Sequence, residues 1–177
     1  RSLLTYPTTS GPTSLIECAR VRPNNWGTHA LAAWIATYRY LGEPLDGPAT
    51  VFHGWLGNRG VYSGFKFGAL DWQSNWTSPV AINPVGATIQ GYNVDGALPE
   101  EMRRAGSFKH PPPRENYCWE ALQGAALSGL LLHGAGYPAF EWENQALRRA
   151  ADYLYEQADF PPEGDDRNVP HVLNVGY

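Results

Sequence analysis

The sequence predicts an all-α fold of antiparallel helical hairpins in which one layer of helices is more deeply buried than the other. Three observations carry this. Apolar residues recur at helical spacing near 26–41, 48–57, 98–105, 115–134 and 143–158. No segment sustains the apolar/polar alternation of a half-buried strand. The stretch 115–134 is apolar almost all round, whereas 143–158 has a charged face, the pattern of an inner helix followed by an outer one in a two-layered helical ring. With 177 residues the chain suffices for one domain with a real core, so 1–177 reads as a single, partial domain.

In chain order, 1–13 is an irregular lead-in rich in Thr, Ser, Gly and Pro, and 14–19 a short helix ending before Pro23. Two amides, Asn24 and Asn25, stand where a helix starting near Trp26 needs acceptors for its orphan N–H groups. Its apolar stripe is Leu31, Trp34, Ile35, Tyr38 and Leu41, and Gly42 stops it. His29 falls opposite that stripe, about one turn after Asn25, so an amide, an imidazole and a helix N-terminus converge on a spot suited to an anion. A capping amide and a surface histidine explain the same features equally well.

Pro48 opens a second helix whose Val51, Phe52, Trp55 and Leu56 form a face, closed by the run Gly57, Asn58, Arg59 and Gly60. From 61 to 92 there is no helical period; Tyr62, Phe65, Phe67, Trp72 and Trp76 are spaced among Gly, Ser, Asn and Pro. An aromatic-rich loop of this length is expected to be ordered and functional, with Lys66 its one base and Asp71 its one acid. Asp95 and Gly96 make a turn, and 98–104 is a short helix with acids first and bases last, as the helix dipole prefers. Three prolines, 111–113, stiffen the approach to the longest apolar helix, which starts polar with Arg114, Glu115, Asn116 and Tyr117. The following helix packs Ala146, Leu147, Ala150, Ala151 and Leu154 and turns Arg148, Arg149, Asp152 and Glu156 to water. The chain is expected to close with a turn-rich loop and 170–177, without a terminal element. That ending, an initial Arg and a helical ring still open are read as a piece of a longer polypeptide.

A net charge of −4 and a pI near 5.7 argue against nucleic acid as a partner, and no apolar run reaches membrane length. No signal-peptide pattern is present. Aromatic residues make up 13% of the chain and charged ones only 17%, a mix suited to sugar hydroxyls and ring faces, although a large Trp-rich core would give the same figures. Cys18 and Cys118 lie far apart without metal spacing; buried free thiols are the default, with a disulfide open if the protein is secreted. Residues 75–77, Asn-Trp-Thr, form a lone glycosylation sequon. No phosphate loop, nucleophile elbow or zinc motif occurs, so no cofactor and no metal are expected. What remains is two polar helix mouths, one with Asn24, Asn25 and His29, the other with His110, Arg114, Asn116 and Tyr117. A positive group beside a phenol favours its ionised form, which suits a tyrosine to proton transfer.

Residues 24–29 (Asn-Asn-Trp-Gly-Thr-His), 93–104 (Asn-Val-Asp-Gly-Ala-Leu-Pro-Glu-Glu-Met-Arg-Arg) and Asn116-Tyr117 leading into Glu120-Ala121-Leu122 together resemble the alginate lyase superfamily of polysaccharide lyases. The likeness runs from about Cys18 to the end. It implies an incomplete (α/α) toroid and β-elimination of a uronic-acid polysaccharide of alginate or glucuronan type, by a secreted or periplasmic enzyme of a family that often works without a metal. On this resemblance Asn25 or Asn24, His29 and Arg114 neutralise the uronate carboxylate, and Tyr117 transfers a proton with His29 or His110 as second partner. Trp26, Trp72 and Trp76 would stack on sugar rings, with Lys66 near the anionic polymer. Two departures stand out: Trp26 occupies the position after the Asn pair where many relatives carry His, and Glu120 rather than a tyrosine directly precedes the Ala-Leu pair. Two other classes stay open: a toroid glycosidase using Asp95 with Glu100 or Glu101, and a non-catalytic polysaccharide-binding fragment.

Overall fold

The computed structural model describes residues 14–58 and 70–177, and within them the regular structure is helical apart from one hairpin of two-residue strands, with longer irregular stretches at 70–87 and 106–116. Helix α1 (Leu15–Val21) is started by the Ser14 hydroxyl, which accepts the Glu17 N–H at 3.2 Å. Helix α2 (Asn25–Leu41) ends at Gly42, whose φ of 68° is the left-handed conformation that closes helices. Helix α3 (Asp46–Leu56) returns alongside it: the Trp55 indole, at the end of α3, donates at 3.0 Å to the Pro23 carbonyl just before α2. The two therefore form an antiparallel hairpin.

After strands β1 (Thr88–Ile89) and β2 (Tyr92–Asn93) comes α4 (Pro99–Met102), extended by a 3₁₀ turn, Arg103–Ala105. Helices α5 (Tyr117–His133) and α6 (Trp142–Glu156) repeat the hairpin, and again an indole locks it: Trp119, early in α5, donates at 2.9 Å to the Phe160 carbonyl beyond the end of α6. Helix α6 opens with Glu143, Asn144 and Gln145 in left-handed backbone, at φ of 51°, 56° and 57°.

Helices α2 and α5 lie side by side and parallel. His29 Nε2 reaches the Glu120 carbonyl at 3.1 Å near their starts, and Arg39 reaches the Leu131 carbonyl at 2.8 Å near their ends. Gly124 sets how close they come, since a Cβ there would lie 2.6 Å from the His29 nitrogen and the Thr28 hydroxyl. Gly124→Ala is therefore expected to destabilise by about 1–3 kcal/mol through overpacking, against the ~1 kcal/mol that alanine gains in helix propensity. A melting temperature equal to or above wild type would show that the contact is looser than this.

A helix, α7 (Asn168–Gly176), also ends the chain, where the sequence reading expected no element. Pro170 is its third residue, where the missing N–H has no place in the helical ladder, and Val169 and Leu173, one turn apart, are buried. It runs in the same direction as α5: Gln123 meets the Asp165 carbonyl near the start, and the Tyr177 hydroxyl donates to the Phe140 carbonyl past the far end. Thus α2, α5 and α7 run parallel to one another, while α3 and α6 return antiparallel to them. The central position of α5 explains its apolar circumference, with Ala121, Leu122, Ala125 and Ala126 all buried.

The described part of the long loop is tied down by Asn83, itself fully buried. Its side-chain amide donates to the Trp72 carbonyl and accepts the Ser74 N–H, while its backbone N–H reaches the Ala97 carbonyl. Among the described residues no helix is long and apolar enough to cross a membrane. Both cysteines are free thiols, Cys118 buried beside Met102 and Cys18 half-buried.

Candidate functional site

Parallel packing of α2 and α5 opens both polar helix starts on the same side, and α4 lies across them. The cap on α2 is not the one the sequence suggested. Asn24 occupies the N-cap position without a capping hydrogen bond, and its side-chain oxygen is buried without a partner. The first α2 amide, Asn25 N–H, instead donates at 2.7 Å to Glu101 Oε1, a carboxylate 76 residues further on. Such a bond satisfies an orphan donor and places negative charge at the positive end of the helix dipole.

Glu101 is almost completely buried, and its second oxygen accepts from Arg104 Nε at 2.8 Å. Burial pushes the Glu101 carboxyl up to about 7, against the downward pull of Arg104 and the Asn25 N–H. Held in this way, the Arg104 guanidinium does two further things. Its Nη2 lies 3.5 Å from Asn25 Oδ1, and its carbon sits 3.9 Å from the centre of the Tyr117 ring. Asn25 is itself buried, and with its amide oxygen turned to Arg104 the NH₂ is the donor its side chain has left to offer.

His29 lies one turn along α2. Its Nε2–H donates to the Glu120 carbonyl, which fixes the tautomer with a lone pair on Nδ1. The rim is Trp26, 67% exposed, and Tyr117, 41% exposed. On the neighbouring stretch before α7, Asp166 is buried with one carboxyl oxygen unpartnered; burial, then the charges of Glu120 and Asp165, pushes it up to about 6.

The structure thus brings Asn25, Tyr117 and, one turn on, His29 to one place. It takes other expected residues elsewhere. Arg114 pairs with Asp159 at 2.7 Å on the surface, so the guanidinium against Tyr117 is that of Arg104. His110 stacks on Tyr92, ring centres 4.0 Å apart, at the end of an aromatic series running back through Phe108 to Trp72. Trp72 is fully buried and donates to the Gly106 carbonyl, so it is a core residue and no sugar platform. Trp76 is exposed, while Lys66 lies outside the described residues.

The carboxylates weighed for a glycosidase are committed to other partners. Asp95 is paired with Arg149 and accepts the Gly86 N–H, and Glu100 is buried against Arg103. Arg104 and Glu101 are the residues that sequence reasoning did not place in the site as a pair. The signal was their i,i+3 spacing on a four-residue helix, which also reads as ordinary dipole compensation. Among the described residues no group of His, Cys, Asp and Glu is arranged to hold a metal ion. No protein-family model, no curated protein and no solved structure matches the chain.

Proposed function

We propose that this chain is the catalytic part of a polysaccharide lyase that cleaves a uronic-acid polymer of alginate or glucuronan type by β-elimination. The observation that carries the reading is the convergence of Asn25, Arg104 and Tyr117 at the starts of two parallel helices, with His29 one turn away. The antiparallel hairpins, with α2, α5 and α7 all running parallel, support an incomplete (α/α) toroid as the architecture, and a polymeric substrate fits a secreted or periplasmic enzyme.

The chemistry follows from what the substrate needs. The C5 proton of a uronate becomes acidic only when the adjacent carboxylate is neutralised, which the Arg104 guanidinium and the Asn25 NH₂ do by donating to its oxygens. His29 Nδ1 accepts the C5 proton, the C5–H electron pair becomes the C4–C5 double bond, and the C4–O4 bond breaks. The Tyr117 hydroxyl gives its proton to O4, and proton exchange with solvent restores both groups. Trp26 and Trp76 offer exposed faces for sugar rings.

Incubating the full-length protein with alginate, polymannuronate, polyguluronate and glucuronan tests this. The expected product absorbs in the ultraviolet through its conjugated unsaturated uronate. New reducing ends without that absorbance would mean hydrolysis, and binding without cleavage would mean a carbohydrate-binding fragment; either result overturns the proposal.

A further inference from the structure

A second cleft lies along α3, between it and the start of α6. It measures about 370 Å³, the size class of small-ligand sites, and is lined by Asp46, Thr50, His53, Asn58, Tyr137 and Trp142. Two rings form its corner: Tyr137 and Trp142 stand nearly perpendicular, at 74° with centres 6.4 Å apart. Hydrogen bonds fix each wall. The Tyr137 hydroxyl donates to Asp46 Oδ1 at 3.2 Å, and the Thr50 hydroxyl donates to the Asp46 carbonyl at 2.7 Å. The Asn58 NH₂ donates to His53 Nδ1 at 3.3 Å, so His53 Nε2–H donates to Glu143 Oε1 at 2.9 Å, and the imidazole lies flat on Trp142 at 4.6 Å.

The backbone is bent to build this wall. Glu143, Asn144 and Gln145 are all left-handed, a conformation that costs about 1–2 kcal/mol per residue. Arg149 holds the bend by donating to the Glu143 and Asn144 carbonyls, both at 3.0 Å. Strain of this kind concentrates where a side chain must be aimed, and here it places Glu143 behind His53 and against Gly57.

Among the described residues both imidazole nitrogens are taken, and the polar groups of the cleft left to a ligand include the second Asp46 oxygen, the Asn58 side-chain oxygen with its second N–H, and the Thr50 hydroxyl oxygen. They are mainly acceptors beside two carboxylates, which rules against an anion and calls for a ligand rich in hydroxyl donors with an apolar face for the rings. A small ammonium would satisfy the oxygens but set no apolar surface on the Tyr137–Trp142 corner, whereas a pyranose offers hydroxyls to the oxygens and a C–H face to the rings. From this geometry we infer that this second cleft binds one neutral pyranose unit, separately from the site proposed to face the uronate polymer.

Methyl glucopyranoside, methyl mannopyranoside and methyl galactopyranoside, titrated into the full chain and followed by saturation-transfer NMR and tryptophan fluorescence, test this. At least one should bind saturably with a Kd of the order of millimolar, a reasonable strength for a single ring. Asp46→Ala and Asn58→Ala should each weaken it about tenfold or more, while Tyr117→Phe leaves it unchanged. Circular dichroism establishes that the variants fold, and Thr50→Val serves as a third if one does not. The inference fails if none of the three glycosides saturates, if folded Asp46 and Asn58 variants bind like wild type, or if methyl glucuronide or tetramethylammonium binds more tightly than every neutral glycoside.

Discussion

Replacing Tyr117 by phenylalanine should lower turnover on the responsive polyuronate by about a hundredfold or more while the melting temperature stays within error of wild type. The separation follows from what each part of the side chain does. The ring lies under the Arg104 guanidinium, a contact that phenylalanine keeps. The hydroxyl is engaged by no side chain among the described residues, so its removal strands no partner, and only the proton it delivers is lost. Since a proton carrier acts in the transition state rather than in binding, the loss should fall on kcat with KM little changed. A variant that keeps its rate within a few-fold would reduce Tyr117 to a packing residue and leave His29 as the sole proton-transfer group.

The hairpins were legible because their signal is local: a stripe at helical spacing, a stopping glycine such as Gly42, and an apolar helix followed by an amphipathic one all lie within one element and its neighbour. Side-by-side placement of the Asn25 and Tyr117 helix starts was legible for the same reason, once two apolar helices with polar beginnings were paired. What joins them was not. The Glu101 bond to the Asn25 N–H spans 76 positions, and nothing in a four-residue helix of acids and bases shows that one of its carboxylates caps a helix so far back in the chain. Arg114 looked the better partner for Tyr117 because it is near in sequence, whereas Arg104 is near in space. Trp72 misled in the opposite way: among turn residues it read as a platform, but Asn83 and the Gly106 carbonyl draw it into the core. The terminal helix was missed because Pro170 reads as a breaker unless its place in the first turn is known.

Glu101 gives the site a pH dependence whose sign differs between stability and activity. Its carboxyl titrates at about 7 in the folded protein, above the ordinary carboxyl value of roughly 4.3 expected for the unfolded chain. The native state therefore holds this proton more tightly than the unfolded one. The stabilisation is fully present below the unfolded value and is lost as pH rises through about 7, an effect of order 1–3 kcal/mol. Asp166, raised to about 6, acts with the same sign slightly lower on the scale. Activity should move the other way, because ionised Glu101 holds Arg104 over Tyr117 and against Asn25 by an ion pair, whereas the protonated carboxyl keeps only a weaker hydrogen bond to it. Glu101→Gln keeps the shape and the acceptor for the Asn25 N–H but cannot titrate. It should flatten the fall in melting temperature between about pH 5 and 7, leaving the Asp166 share, and remove the rise of kcat across the same interval. Glu101→Ala leaves the α2 amide without its acceptor and the partly exposed guanidinium without its partner, and should destabilise by about 1–3 kcal/mol, the cost of an unsatisfied buried donor. If Glu101→Gln melts with the same pH slope as wild type, the proton that sets the slope sits elsewhere, and the carboxylate is no more than the cap of α2.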